Sequence, residues 1–127
     1  SAEGYIQTDV PLIYTGNLFV FTGKSQEENI ANLRERLQSL LDLRTKYNVP
    51  IFVQQTGSES GEDPNRVYAA AVLSLLNQNN VGWTWWTYKQ HNQNDKGYGV
   101  LYEEKSHSGI WSEKTELLSV ISKFLKQ

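Results

Sequence analysis

A change of hydrophobic period, repeated along the chain, constrains this protein more than any single motif. Asn17–Thr22 (NLFVFT) is a short apolar run bounded by Gly16 and Gly23, and reads as a buried strand. From Ser25 the spacing becomes three and four. Ile30, Leu33, Leu37, Leu40, Leu41 and Tyr47 form one apolar face, Ser25 and Glu28 are spaced as a capping box, and Asn48 and Pro50 end the helix. Pro50–Gln55 (PIFVQQ) is a second strand, followed by a loop from Gly57 to Gly61. Asp63-Pro64 starts a second helix, roughly Pro64–Gln78, with aspartate as N-cap and proline at the first helical position. It is apolar nearly all round, which predicts deep cover.

Gly82–Lys89 (GWTWWTYK) reads as the third strand, His91–Lys96 as a polar loop and Gly97–Tyr102 as a short extra strand. Ser112 is placed to cap a last helix from Glu113 to about Leu125. The alternation of strand and helix predicts an α/β fold with a parallel sheet covered by helices. In such sheets functional groups gather at the C-terminal ends of the strands. Here those ends are Thr22-Gly23-Lys24, Gln54-Gln55-Thr56-Gly57 and Thr87-Tyr88-Lys89-Gln90.

Composition removes several functional classes. Net charge is −2 and the basic residues form no run, so nothing favours nucleic acid or an anionic membrane as partner. The apolar stretches are too short to span a bilayer. With no cysteine there is neither a disulfide scaffold nor a thiolate metal site. His91 and His107 lie in polar loops. No predicted helix holds Asp95 or Glu103 beside them, so no metal or other cofactor is expected. The pair Glu103-Glu104 reads as an exposed strand end. Phosphate-cradling glycine loops and a Gly-x-Ser-x-Gly elbow are also missing. Ser1-Ala2-Glu3 fits either the start of a chain after a removed signal peptide or an arbitrary boundary; the expectation is a secreted protein.

The order YNVPIFV, three residues and a glycine, an arginine-bearing alanine-rich helix, GWTWWTYK and then GYGV resembles the C-terminal part of family 5 glycoside hydrolases, the cellulase type of β/α barrel. The resemblance is best over Tyr47 to Leu125. It implies a partial, half TIM-type barrel with three to four parallel strands, because a complete barrel takes about 250 residues. All 127 residues then form one half-barrel domain, with 1–16 an irregular N-terminal segment and 17–127 the β/α units. A half barrel exposes sheet edges, so completion by a homo-oligomer or a partner chain is expected; alternatively Leu12-Ile13-Tyr14 supplies a further strand.

In the resembled family this second strand ends in Gly-Glu-(Phe/Trp)-Gly, and the glutamate is the nucleophile of a retaining glycosidase. Gln55 stands at that position here. Retaining hydrolysis needs two carboxyl groups about 5–5.5 Å apart, and a glutamine amide cannot attack as a carboxylate. The family's Asn-Glu acid/base pair and its His-x-Tyr have no counterpart in this sequence. Glu59 is the best placed displaced carboxylate, although a polar loop leading to a helix cap is the stronger account of Glu59, Glu62 and Asp63.

Strand alternation puts Trp83 and Trp85 on one face with Thr87, and Trp86 on the other with Thr84 and Tyr88. Trp83 and Trp85 read as packing between sheet and helices. The resemblance implies that Trp86 floors a sugar subsite, since an indole face suits the C–H patch of a pyranose. Gln55, Gln54, Lys89 and His91 are the polar candidates around it, as amides and ammonium groups bond sugar hydroxyls. Three readings follow: a catalytically silent module binding β-glucan-type polysaccharide or oligosaccharide, a hydrolase active only in an assembly or through Glu59, and a structural protein with no sugar site.

Overall fold

The computed structural model describes residues 13–19, 25–91, 97–105 and 107–125. Three strands, β1 (Tyr14–Phe19), β2 (Ile51–Gly57) and β3 (Gly82–Trp85), form a parallel sheet in that order. Helix α1 (Gln26–Tyr47) links the first two strands, and α2 (Val67–Gln78) links the next. A second, smaller sheet follows, made of β4 (Lys89–Gln90), β5 (Leu101–Glu103) and β6 (Trp111–Glu113), and α3 (Thr115–Leu125) closes the described chain. This is the mixed α/β architecture expected of a partial β/α barrel, and the three-stranded parallel sheet does not close.

The capping residues act where the sequence puts them. Ser25 Oγ accepts from the Glu28 amide at 3.2 Å, and Asn48 ends α1 in the left-handed conformation that asparagine tolerates. Leu33 and Leu37 of α1, Tyr68, Val72, Leu73 and Leu76 of α2, and Leu117 and Ile121 of α3 pack against Leu18, Ile51 and Val53 of the sheet. Burying a side chain of this kind contributes about 1.5–3 kcal/mol, so this single layer of contacts is the main stabilising term.

Several boundaries differ from the sequence reading. The first strand begins at Tyr14 rather than Asn17, and Thr22-Gly23-Lys24 lies outside the described residues. GWTWWTYK is not one strand: pairing with β2 stops at Trp85, and the chain turns through a cis Trp86–Thr87 peptide into the second sheet. Ser112 belongs to β6 instead of capping the last helix, which starts at Thr115. Glu103 is 2% exposed rather than a solvated strand end, because β6 and His91 cover it.

The second helix also starts later than predicted. Pro64–Arg66 is a 3-10 turn, and Asn65 and Arg66 both have positive φ. Asp63 still caps the helix, but at longer range. Its carboxylate accepts from the Tyr68 amide at 2.7 Å, the Ala69 amide at 2.9 Å and Ser58 Oγ at 2.7 Å. Buried Arg66 donates to the Ser58 carbonyl and Ser60 Oγ and pairs with Glu116 at 3.5 Å, tying the loop to α3.

Candidate functional site

A bulge in β2 organises the site. Gly16 pairs with Val53, yet Asn17 pairs with Gln55, so Gln54 is an extra residue in the ladder. The ladder to β3 slips in the same place, between Val53 and Thr56. Strict alternation does not put two residues three apart on one face of a strand, yet Val53, in the helix-packed core, and Thr56, bonded to the Leu18 carbonyl, are both fully buried. The slip resolves this and leaves both Gln54 and Gln55 for the open face of the sheet, Gln54 exposed and Gln55 half-buried. Asn17, the ladder partner of Gln55, is exposed on that face too.

Trp83 and Trp85 pack against the core, and Trp83 Nε1 donates to Asn77 Oδ1 at 2.9 Å. Their reading as packing residues is what the structure has. Trp86 follows on the opposite side and is 46% exposed. Its amide donates to the Thr56 carbonyl at 2.7 Å, which holds it at the C-terminal end of β2. Gly57 has no side chain to keep the Trp86 carbonyl away, and an added Cβ there would press into that oxygen and lie 3.4 Å from the Phe19 ring.

Phe19 ends β1. Its carbonyl accepts from Arg36 Nη2 at 2.7 Å and from Tyr68 Oη at 2.8 Å. Its ring meets Tyr98 edge to face at 5.7 Å. Burial raises the Tyr68 phenol, with the Arg36 guanidinium opposing. Tyr98 Oη in turn donates to Glu62 Oε2 at 3.4 Å. Burial raises the Glu62 carboxyl above its ordinary value, and the neighbouring Glu59 charge adds to this. Burial, with the Glu62 and Glu59 charges, pushes Tyr98 up to about 12.

The mouth of the sheet therefore carries Asn17, Phe19, Gln54, Gln55 and Trp86, with Tyr98, Glu62 and Glu59 at its rim. The structure puts Glu59 in the loop after β2, where its carbonyl accepts from the Glu62 and Asp63 amides, and its carboxylate faces that of Glu62. Lys89 and His91 have their close partners on the second sheet instead. The Lys89 ammonium lies 4.9 Å from the Trp111 ring centroid and 5.5 Å from that of Tyr88. His91 Nδ1 pairs with Glu103 Oε1 at 2.7 Å and its ring meets Trp111 at 5.1 Å. Among the described residues no group of three metal-ligating side chains gathers, and no helix is long and apolar enough to cross a membrane.

Sequence reasoning did not single out Asn17, Phe19 or Tyr98, and it named Glu62 only beside Glu59. Asn17 and Phe19 become visible only through register. Glu62 read as part of a helix start, and Tyr98 sat inside a run taken for a strand.

The open parallel sheet thus bears an exposed tryptophan and amide side chains at its strand ends, on a fold of the β/α type. Comparison with known families matches residues 13–92 to the cellulase model of glycosyl hydrolase family 5, and the chain belongs to that family. Among solved structures it resembles the Clostridial cellulose synthase subunit Z (CcsZ) from Clostridioides difficile, with 21% identity and a TM-score of 0.54. That likeness is one of fold. It covers 80% of this chain and 31% of the other, so the chain spans about a third of the length of that neighbour. No curated protein matches the sequence.

Proposed function

We propose that the chain is a catalytically silent carbohydrate-binding module of the cellulase family, which holds a β-glucan-type chain against Trp86 with Gln55 and Gln54 beside it. The observation that carries this reading is the pairing at the sheet mouth. The bulge turns Gln55 onto the face where Trp86 is half-exposed, while Gln55 occupies the position that the family pattern gives to the nucleophile. An amide there donates and accepts hydrogen bonds with sugar hydroxyls but supplies no attacking carboxylate. The indole supplies the apolar contact, worth about 0.5–1.5 kcal/mol beyond buried area if it resembles aromatic pairs.

A tryptophan-fluorescence titration with cello-oligosaccharides of increasing length tests the reading. We expect a saturable shift that grows with length and is lost in Trp86→Ala, with no reducing sugar released. Hydrolysis by the pure chain that Glu59→Gln abolishes would establish the enzymatic alternative instead. A flat response would leave the fold without a sugar site. Lys89 and His91 enter this reading only as residues of the second sheet, and Lys89→Ala is expected to weaken binding far less than Trp86→Ala. Secretion of the protein fits a polysaccharide ligand and is part of the same proposal.

A further inference from the structure

We infer that Thr56 and Gly57 are the positioning residues of the Trp86 platform; this rests on the sugar-binding reading for its functional consequence, but not for its geometry. Thr56 is fully buried and joins all three strands. Its Oγ1 donates to the Leu18 carbonyl of β1 at 2.5 Å, and its own carbonyl accepts from the Trp86 amide at 2.7 Å just past β3. Leu18 and Trp85 are its ladder partners on either side. This side-chain bridge to β1 depends on the hydroxyl at residue 56. A small hydroxyl makes a strand-to-strand bond that an aromatic ring cannot make.

Gly57 acts on the other side of the same peptide. It has no positive φ to explain its identity; what it supplies is space, because any Cβ would collide with the Trp86 carbonyl oxygen. A backbone atom cannot swing aside as a long side chain can, so a methyl at residue 57 must displace the Trp86 peptide away from β2. Thr56 pulls the Trp86 amide towards β2, and Gly57 lets its carbonyl close. Together they set the separation of the indole from Gln55, the residue directly before Thr56.

The test follows the Trp86 indole N–H resonance, assigned by its loss in Trp86→Phe, together with affinity for cellohexaose. Gly57→Ala and Thr56→Val should both move that resonance and weaken binding roughly tenfold, the upper end of what one hydrogen bond contributes. Thr56→Ser, which keeps the hydroxyl, should restore both. Leu37→Ala, a core truncation on α1, should lower the melting temperature without moving the resonance, separating position from stability. If Gly57→Ala fails to fold, the Thr56→Val and Thr56→Ser pair decides alone. An unmoved Trp86 resonance in Thr56→Val, or no recovery in Thr56→Ser, overturns the assignment. If the wild-type chain ignores cellohexaose while the resonances behave as described, the sugar-binding reading fails and the positioning role stands.

Discussion

Gln55 and Tyr98 illustrate how single residues set the chemistry at the mouth of the sheet. Gln55 removes the charge that a glutamate would bring, leaving Glu62 and Glu59 as the nearby acidic groups. Burial discourages Glu62 from ionising, and the neighbouring Glu59 charge works in the same direction. Tyr98 feels both charges as well as its own burial. A phenol whose folded pKa is raised contributes stability that is fully present below the ordinary tyrosine value and is lost as pH rises through the folded one. The stability attributable to Tyr98 should therefore fall between pH 10 and about 12. We expect tyrosinate absorbance to show late-ionising tyrosines, Tyr68 among them, and the step that Tyr98→Phe removes to lie in this window. Glu62→Gln should move that step to lower pH but not back to the ordinary value, because burial is the largest cause. A step that stays in place in Glu62→Gln would mean the carboxylate does not reach the phenol. The nature of residue 55 was legible in the sequence because a family pattern fixes its place. The Glu62–Tyr98 contact was not, since 36 residues separate the two and nothing periodic links them.

Elements in this chain are defined by polar fastenings as much as by apolar faces. The loop between β2 and α2 contains two successive residues at positive φ, Asn65 and Arg66, neither of them glycine. Such a conformation costs on the order of 1 kcal/mol or more per residue and persists only where surroundings hold it. Asp63 flanks it with two helix amides and the Ser58 hydroxyl on one carboxylate, and Arg66 is itself tied to Ser58, Ser60 and Glu116. Asp63→Ala should therefore cost about 2–4 kcal/mol, combining a lost cap with buried donors left unpaired. Denaturant unfolding measures this, and Asp63→Asn should recover part of it by keeping one acceptor oxygen. A loss below about 0.5 kcal/mol would show water replacing the carboxylate. The sequence announced Asp63-Pro64 as a helix start, and the aspartate does cap. Sequence signals did not reveal the intervening 3-10 turn, because local cap rules say nothing about Arg66 being drawn inward to Ser58 and Glu116. The β2 bulge escaped notice for a similar reason. PIFVQQ reads as a plain strand, and only the pull of Thr56 towards Leu18 exposes the extra residue.

At the scale of the whole molecule, the described helices cover one face of the parallel sheet, and among the described residues none of the helices packs on the other. Parallel sheets are rarely stable with a solvated face, because their strands are built to be covered on both sides. Thr15, Asn17, Gln54 and Thr84 are exposed on this face, and Phe52 is half-buried with its ring over Gly82, 2.9 Å from where a Cβ would stand. In the CcsZ neighbour most of the chain lies outside the part shared with this one, so there the common β/α units belong to a much larger body. A chain with the present face free has reason to seek a second layer, and a copy of itself offers a complementary set of strand edges. We predict that the purified chain self-associates through this face. Light scattering after gel filtration should give a mass above 14.5 kDa that rises with concentration. Phe52→Asp should return it to the monomer with unchanged circular dichroism, since the residue lies outside the helix-covered core. Trp86 borders the same face, so association and cello-oligosaccharide binding should be linked. If the oligosaccharide stacks on the indole from the open side, it should shift the equilibrium towards monomer; if the partner copy completes the groove, it should stabilise the dimer. A monomer at every concentration, with or without sugar, would mean that the polar character of Thr15, Asn17, Gln54 and Thr84 suffices to keep the sheet in water.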